Sequence, residues 1–189
     1  MDIAQFYDSV NRNRVYNLFR DYFCMAEDIA TIMTDLVMDG EKLPTGSPSS
    51  QLIAFWSYRE MFEEIYAIAN QYKCLFTLYV DNMAFSSKQP IPYSLREEVA
   101  GVLHKYGLDA KRHKDRYYKS NDYKIITGFG FKNGVALAPN CKKREILDIC
   151  RKLQSGEDNV NIASLNGKIT AVRQNQPGLF STLLTCSNR

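Results

Sequence analysis

The stretch CLFTLYVDNMAFSS, residues 74 to 87, constrains this chain more than any other. Leu75 to Val80 alternates and is rich in aromatic and β-branched residues, and Met83 to Ser87 does the same. The Asp81-Asn82 pair between them tolerates the positive φ angles of a two-residue turn, so the stretch reads as a β-hairpin. Around it, strand-like and helix-like segments alternate. DIAQFYDSV reads as a short strand and its exit, and residues 12 to 38 as two helices with a break near Cys24 to Glu27. GEKLPTGSPSS is a Gly/Pro/Ser loop, after which Ser49 or Ser50 caps a helix running to about Tyr72 with an apolar stripe of Leu52, Ile53, Trp56, Phe62, Ile65, Tyr66 and Ala69. A further helix from Tyr93 to Tyr106 is opened by Pro92 and ended by Gly107. Residues 109 to 119 and 123 to 137 read as strands, the second as a hairpin turned at Lys132-Asn133-Gly134. Residues 141 to 154 and 158 to 185 read as helical, the latter interrupted at Gly167 and Pro177. This order describes an α+β sheet with helices packed on one face. There is no internal repeat, low-complexity tract or long linker.

Composition narrows the class. With 189 residues, 45% hydrophobic and 24% charged, the chain is long enough for one good core with an appendage. No run approaches the ~20 apolar residues of a membrane span, and MDIAQFYDSV lacks the basic and apolar regions of a signal peptide, so the expectation is a cytoplasmic protein with no membrane partner. The five cysteines (Cys24, Cys74, Cys141, Cys150 and Cys186) are odd in number, and only two histidines accompany them, which suggests neither a disulfide framework nor a zinc site. Charge is uneven. Residues 1 to 41 hold eight acidic side chains against three basic, and residues 104 to 152 hold thirteen Lys/Arg against five Asp/Glu. Such a division suits a protein that holds metal ions in one place and a polyanion in another, and equally suits two solvated faces.

Asp2 ends a short strand and Asp81 tips a hairpin, two places that an α+β sheet can bring side by side. Two carboxylates so placed can bind a pair of divalent ions ~3.5–4 Å apart, the arrangement used in phosphoryl transfer. Mg²⁺ suits it, because this ion takes oxygen ligands and keeps several waters. The alternative for Asp81-Asn82 is a turn and nothing more.

Six segments carry a family resemblance. DIAQFYDSV resembles the first catalytic motif of reverse transcriptases, an Asp followed four and five residues later by aromatics. LPTGSPSSQ is similar to their Leu-Pro-Gln-Gly-x-Pro-x-Ser-Pro loop, and YVDN to their Tyr-x-Asp-Asp box. YGLDAKRHKD resembles the next motif, a Gly-aliphatic turn followed by a lysine, and KIITGFGFKNG the primer-grip hairpin of the bacterial branch. LNGKITAVRQNQP is similar to the segment opening the thumb in retron-like, abortive-infection-type and group II intron-like enzymes. The matches keep the family's order along nearly the whole chain.

The resemblance implies a polymerase palm, a ferredoxin-like antiparallel sheet with helices on one face, over residues 1–138 including a primer-grip hairpin, and the helical start of a thumb over 139–189. It implies an RNA-directed DNA polymerase transferring dNTPs onto a DNA or RNA primer along an RNA template, in a bacterial retron, defence or mobile-element system. Asp2 and Asp81 match the carboxylates holding two Mg²⁺ ions, for which Mn²⁺ can substitute, and the Ile3 carbonyl matches a backbone ligand. Tyr7 matches the aromatic that excludes a 2′-hydroxyl, and Thr45, Gly46 and Ser47 the loop that cradles the nucleotide. Lys114 matches the lysine that protonates departing pyrophosphate. Ile125, Ile126, Thr127, Gly128 and Phe129 match the primer grip, and Lys142, Lys143, Arg144, Arg151 and Arg173 are placed to touch phosphates.

The departures bear on activity. Thr45 replaces Gln, Gln51 replaces Pro and Lys111 replaces Asn, none of them disabling, whereas Asn82 replaces the second Asp of the box. Loss of a directly liganding charge ~4 Å from a cation costs roughly 4 kcal/mol at an effective dielectric near 20. Loss of an orienting group costs about 10–100-fold in affinity or activity. The second is the expectation here, giving reduced activity at this catalytic position. The resemblance further leads one to expect the fingers that precede Asp2 on a separate chain or in a defence-system partner, with the 189 residues polymerising poorly alone. The alternative is a catalytically silent palm that binds RNA or protein. A nucleotide cyclase fits less well, because its Gly-Gly-acidic hairpin is missing and LPTGSPSS is left without a role.

Overall fold

A computed structural model describes residues 1–155 and 161–180. The chain divides into two compact units, Met1–Arg116 and Tyr117–Arg189. Both are mixtures of helix and small antiparallel sheets, so the expected α+β class holds. Residue 138, where the first domain was expected to end, falls inside the second unit. No helix among the described residues is long and apolar enough to cross a membrane.

In the first unit, Asn11 caps α1 (Arg12–Asn17) by accepting from the Arg14 amide at 2.9 Å, and the helix runs on as a π-helical turn over Leu18–Tyr22. Cys24 takes a positive φ and α2 (Glu27–Val37) follows, so the break falls where it was expected. The single helix expected up to Tyr72 is instead two, α3 (Ser50–Ser57) and α4 (Arg59–Gln71). At the break Tyr58 is buried, its hydroxyl donates to the Ser9 carbonyl at 2.9 Å, and Arg14 lies over its ring. This tertiary contact carries no periodic signal. It also alters the stripe: Ile53, Phe62, Ile65 and Ala69 are buried, but Leu52 and Tyr66 are exposed.

Strands β1 (Leu75–Tyr79) and β2 (Asn82–Ser86) form the hairpin, with Phe76 opposite Phe85 and Leu78 opposite Met83 on the core side. The Phe76 and Phe85 rings stack at 5.2 Å. Because Tyr79 pairs with Asn82, the turn is Val80-Asp81 rather than Asp81-Asn82. Val80 takes φ +58, as the first position of a II′ turn requires. Helix α5 (Tyr93–Lys105) buries Leu95, Val99 and Leu103 and ends before Gly107 at φ +76. Residues 109 to 119 are not a strand. Only Ala110 pairs, with Ile3, and a 3₁₀ turn over Arg112–Lys114 follows.

In the second unit, residues 123 to 137 form three strands rather than one hairpin: β3 (Lys124–Ile126), β4 (Phe129–Lys132) and β5 (Val135–Leu137). Thr127-Gly128 and Asn133-Gly134 are both positive in φ, so each makes a two-residue hairpin turn; only the second was read from the sequence. Helices α6 (Asn140–Gln154) and α7 (Ile162–Arg173) bury Ile146 against Leu165, Ile169 and Val172, with Ala138 beside them. Gly167 does not interrupt α7. The expected helical residues 158–160 and 181–185 lie outside the described residues.

Two glycines give opposite expectations. A Cβ at Gly130 falls against the Tyr123 hydroxyl and 2.8 Å from the Leu137 carbonyl of the paired strand, so Gly130→Ala should destabilise the second unit by about 1–3 kcal/mol. A Cβ at Gly167 meets nothing within 4 Å, so Gly167→Ala should stabilise α7 by about 0.5–1 kcal/mol. Chemical denaturation of the two variants measures both; like signs would contradict the packing described.

Candidate active site

The start of the chain lies between two partners. The Ile3 amide donates to the Asp81 carbonyl at 2.9 Å, and Met1 and Met83 exchange hydrogen bonds at 2.8 and 2.9 Å. On the other side, the Lys111 amide donates to the Asp2 carbonyl at 2.8 Å and the Ala4 amide to the Asp109 carbonyl at 2.7 Å. Asp2 is thereby opposite Asn82, and Ile3 opposite Ala110. In an antiparallel ladder the latter pairing sets Asp2 opposite Lys111, so Lys111, Asp2 and Asn82 share one row and one face.

Side chains in and beside that row meet. Lys111 Nζ stands 2.5 Å from Asp2 Oδ1 and 3.8 Å from Asp81 Oδ2. Lys114 Nζ reaches Asp2 Oδ2 at 3.4 Å. Asn82 Nδ2 donates to Asp81 Oδ1 at 3.1 Å. Asp2 is buried, whereas Asp81 is about a quarter exposed and Lys114 about half. The contact with Asp2 raises the Lys111 pKa above its ordinary value; burial opposes this, and the charges of Asp2 and Asp81 add to it. The structure thus brings Asp2, Asp81, Asn82 and Lys114 together.

The lysines reach Asp2 because the chain turns there. Lys114 N donates to the Lys111 carbonyl at 2.9 Å, and a 3₁₀ turn eclipses side chains three apart, so both ammoniums lie on one side. The end of the turn is tied to α5: Arg96 Nε and Nη2 contact Asp115 Oδ2 at 2.9 and 2.8 Å. Arg96 also donates to the Tyr93 hydroxyl at 2.9 Å. At the hairpin end, Val80 is a β-branched residue in the left-handed region, a conformation that costs of order 1–3 kcal/mol and gathers at functional sites.

The other expected site residues are placed as follows. Burial first, and the Asp81 charge next, push the Tyr7 phenol above its ordinary pKa, so Tyr7 feels Asp81. Thr45, Gly46 and Ser47 form a turn with Gly46 at φ +91, and the hydrogen bonds of this loop are local: Ser47 with Ser49, and Ser50 to the Pro44 carbonyl. In the second unit, Ile126 and Phe129 pair across the Thr127-Gly128 turn and are exposed, as is Ile125. On α6, Lys142, Arg144 and Arg151 are exposed and Lys143 is partly so, with Arg151 paired to Asp148. Arg173 donates to the Leu179 and Phe180 carbonyls at 3.0 and 2.9 Å, closing the chain behind α7.

The donor chemistry suits a hard divalent cation. Asp2, Asp81 and the Ile3 carbonyl offer only oxygen, and that carbonyl accepts no hydrogen bond among the described residues. Asp2 Oδ1 is buried without a hydrogen-bond partner, because Lys111 approaches it outside hydrogen-bonding geometry, so what holds it is charge. No group of three or more His, Cys, Asp or Glu gathers among the described residues, so the site has two carboxylates rather than three.

Comparison with known proteins adds a relationship. The retron Se72 reverse transcriptase of Salmonella heidelberg is 26% identical over 165 residues, covering 80% of this chain and 43% of that protein. The likeness supports a reverse-transcriptase-related family. This chain spans less than half the length of that relative, and no family model matches it.

Sequence reasoning treated Lys111 as a tolerated substitution and missed its contact with both carboxylates. The signal was available only through pairing, since Lys111 stands opposite Asp2 in the ladder. Arg96 and Asp115 gave no signal at all. Arg96→Ala should leave both Asp115 oxygens unpartnered, costing about 1–3 kcal/mol. Amide exchange at Lys111 and Lys114 should quicken with it; unchanged protection at both amides would show that Arg96 does not hold the lysine turn.

Proposed function

We propose that the chain is the palm and beginning of the thumb of an RNA-directed DNA polymerase, acting in a bacterial retron, defence or mobile-element system. What supports this most is that residues distant in sequence, Asp2 and Asp81, are held side by side by the Ile3 amide on the Asp81 carbonyl, beside a basic turn. The likeness to a retron reverse transcriptase points the same way.

Asp2, Asp81 and the Ile3 carbonyl would hold two Mg²⁺ ions, with Mn²⁺ as a substitute. Such ions activate the attacking primer oxygen and neutralise charge on the phosphates. The protein's own groups do the rest. Lys114 Nζ, half-exposed, carries the proton that departing pyrophosphate needs. Tyr7, whose phenol feels the Asp81 charge, sits under the sugar of the incoming dNTP and leaves no room for a 2′-hydroxyl. Gly46 lets the Thr45–Ser47 loop approach nucleotide and template closely. The Ile126–Phe129 turn supports the primer end as its grip. Exposed Lys142 and Arg144, with Lys143, contact backbone phosphates without reading sequence. Arg173 is the weakest of the proposed phosphate contacts, since two of its donors are already committed to carbonyls.

Asn82 favours a second reading, a silent palm that binds RNA or protein. Its amide donates to Asp81 where an acid would add charge. Primer extension on an RNA template with Mg²⁺, with fingers supplied on a longer chain, separates the two. Asp81→Ala removes a liganding charge worth roughly 4 kcal/mol, so extension should fall about a thousandfold. Asn82→Asp should raise it about 10–100-fold. If no variant extends the primer while RNA is still bound, the silent palm is correct.

A further inference from the structure

Every oxygen of the Asp2–Asp81 pair lies within 4 Å of a side-chain nitrogen. Lys111 Nζ serves Asp2 Oδ1 and Asp81 Oδ2, Lys114 Nζ serves Asp2 Oδ2, and Asn82 Nδ2 serves Asp81 Oδ1. Two carboxylates against two ammoniums sum to zero. The two lysines are not equivalent. Lys114 touches one aspartate from a half-exposed position, whereas Lys111 spans both and is about a quarter exposed. A single positive charge shared between two carboxylates is the position of a bound cation.

We propose that the Lys111 ammonium is the resident cation of this carboxylate pair, and that the pair becomes available to a divalent ion only when Lys111 withdraws. This rests on the reading of Asp2 and Asp81 as metal ligands. Lysine suits the part, since its charge is a compact point on a flexible four-carbon stem, able to leave without moving the backbone. Its backbone is fixed, because the Lys111 amide is bonded to the Asp2 carbonyl. Asn82 makes the device effective. An acid at residue 82, directly opposite Asp2, would leave the cluster with a net negative charge that draws in an ion; with Asn82 the resting cluster is neutral. An ion at sufficient concentration displaces Lys111 by mass action, and added negative charge, as from a nucleotide triphosphate, tips the balance further toward it. Metal binding and nucleotide binding are thereby coupled.

Mn²⁺ titration of the full chain by electron paramagnetic resonance, without nucleotide, tests the proposal. Lys111→Gln should bind Mn²⁺ at least about tenfold more tightly than the parent, since it removes a unit charge ~4 Å from the ion. Adding Asp81→Asn should abolish that gain. A second measurement needs no substitution: acetylation of Lys111 by an amine-acylating reagent, read by mass spectrometry, should speed up several-fold when Mn²⁺ is added to the unmodified protein. Equal affinity in parent and Lys111→Gln, both lost with Asp81→Asn, would overturn the proposal and leave the metal-ligand reading standing. Mn²⁺ binding that ignores Asp81 in every variant would overturn both. Lys111 acetylation unchanged at saturating Mn²⁺ would overturn the proposal even if the variant failed to fold.

Discussion

The backbone pairing of residues 1 to 4 is the constraint on which the first unit's site depends. One short segment hydrogen-bonds to the hairpin through Ile3 and to the 109–111 segment through Asp2 and Ala4. Neither neighbour pairs with the other in this arrangement, so removing the segment would separate Asp81 from Lys111. Ile3, fully buried, fixes the segment from beneath, while Asp2 faces the opposite way into the charged cluster. The alternation of a strand thus divides core from chemistry within two residues.

The hairpin and the helix breaks near Cys24 and after Lys105 were legible in the sequence, because each has a local period or a local breaker behind it. What was not legible depends on contacts between distant segments. Tyr58 splits a helix whose apolar period runs through it, because its hydroxyl finds Ser9. The turn at Val80-Asp81 contradicts propensity, since Asp81-Asn82 is the better turn dipeptide; ladder pairing of Tyr79 with Asn82 sets the register instead. Lys111 became visible as a partner of Asp2 only once Ala110 was paired with Ile3.

The one-residue shift in the turn changes the roles of Asp81 and Asn82. Asp81 occupies a turn position, where its carbonyl receives the Ile3 amide and its side chain is partly exposed. Asn82 is a strand residue facing Asp2 across the ladder. Asn82 therefore flanks Asp2 in the row, with Lys111 on its other side, and the Val80-Asp81 turn accommodates this register with a positive φ at Val80.

The shared row has a consequence for how sequences of this kind drift. Residues 82 and 111 flank Asp2 on either side, close enough for their charges to act on the same carboxylate. Their contributions should not be independent: an acid at 82 makes a lysine at 111 favourable, and a neutral residue at one site relaxes the demand at the other. Neighbours of this kind carry coupling energies of about 0.5–3 kcal/mol in double-mutant cycles. Of the combinations open to the two positions, Asn82 with Lys111 is the most positive, one unit above either an acid with Lys or Asn with a neutral partner.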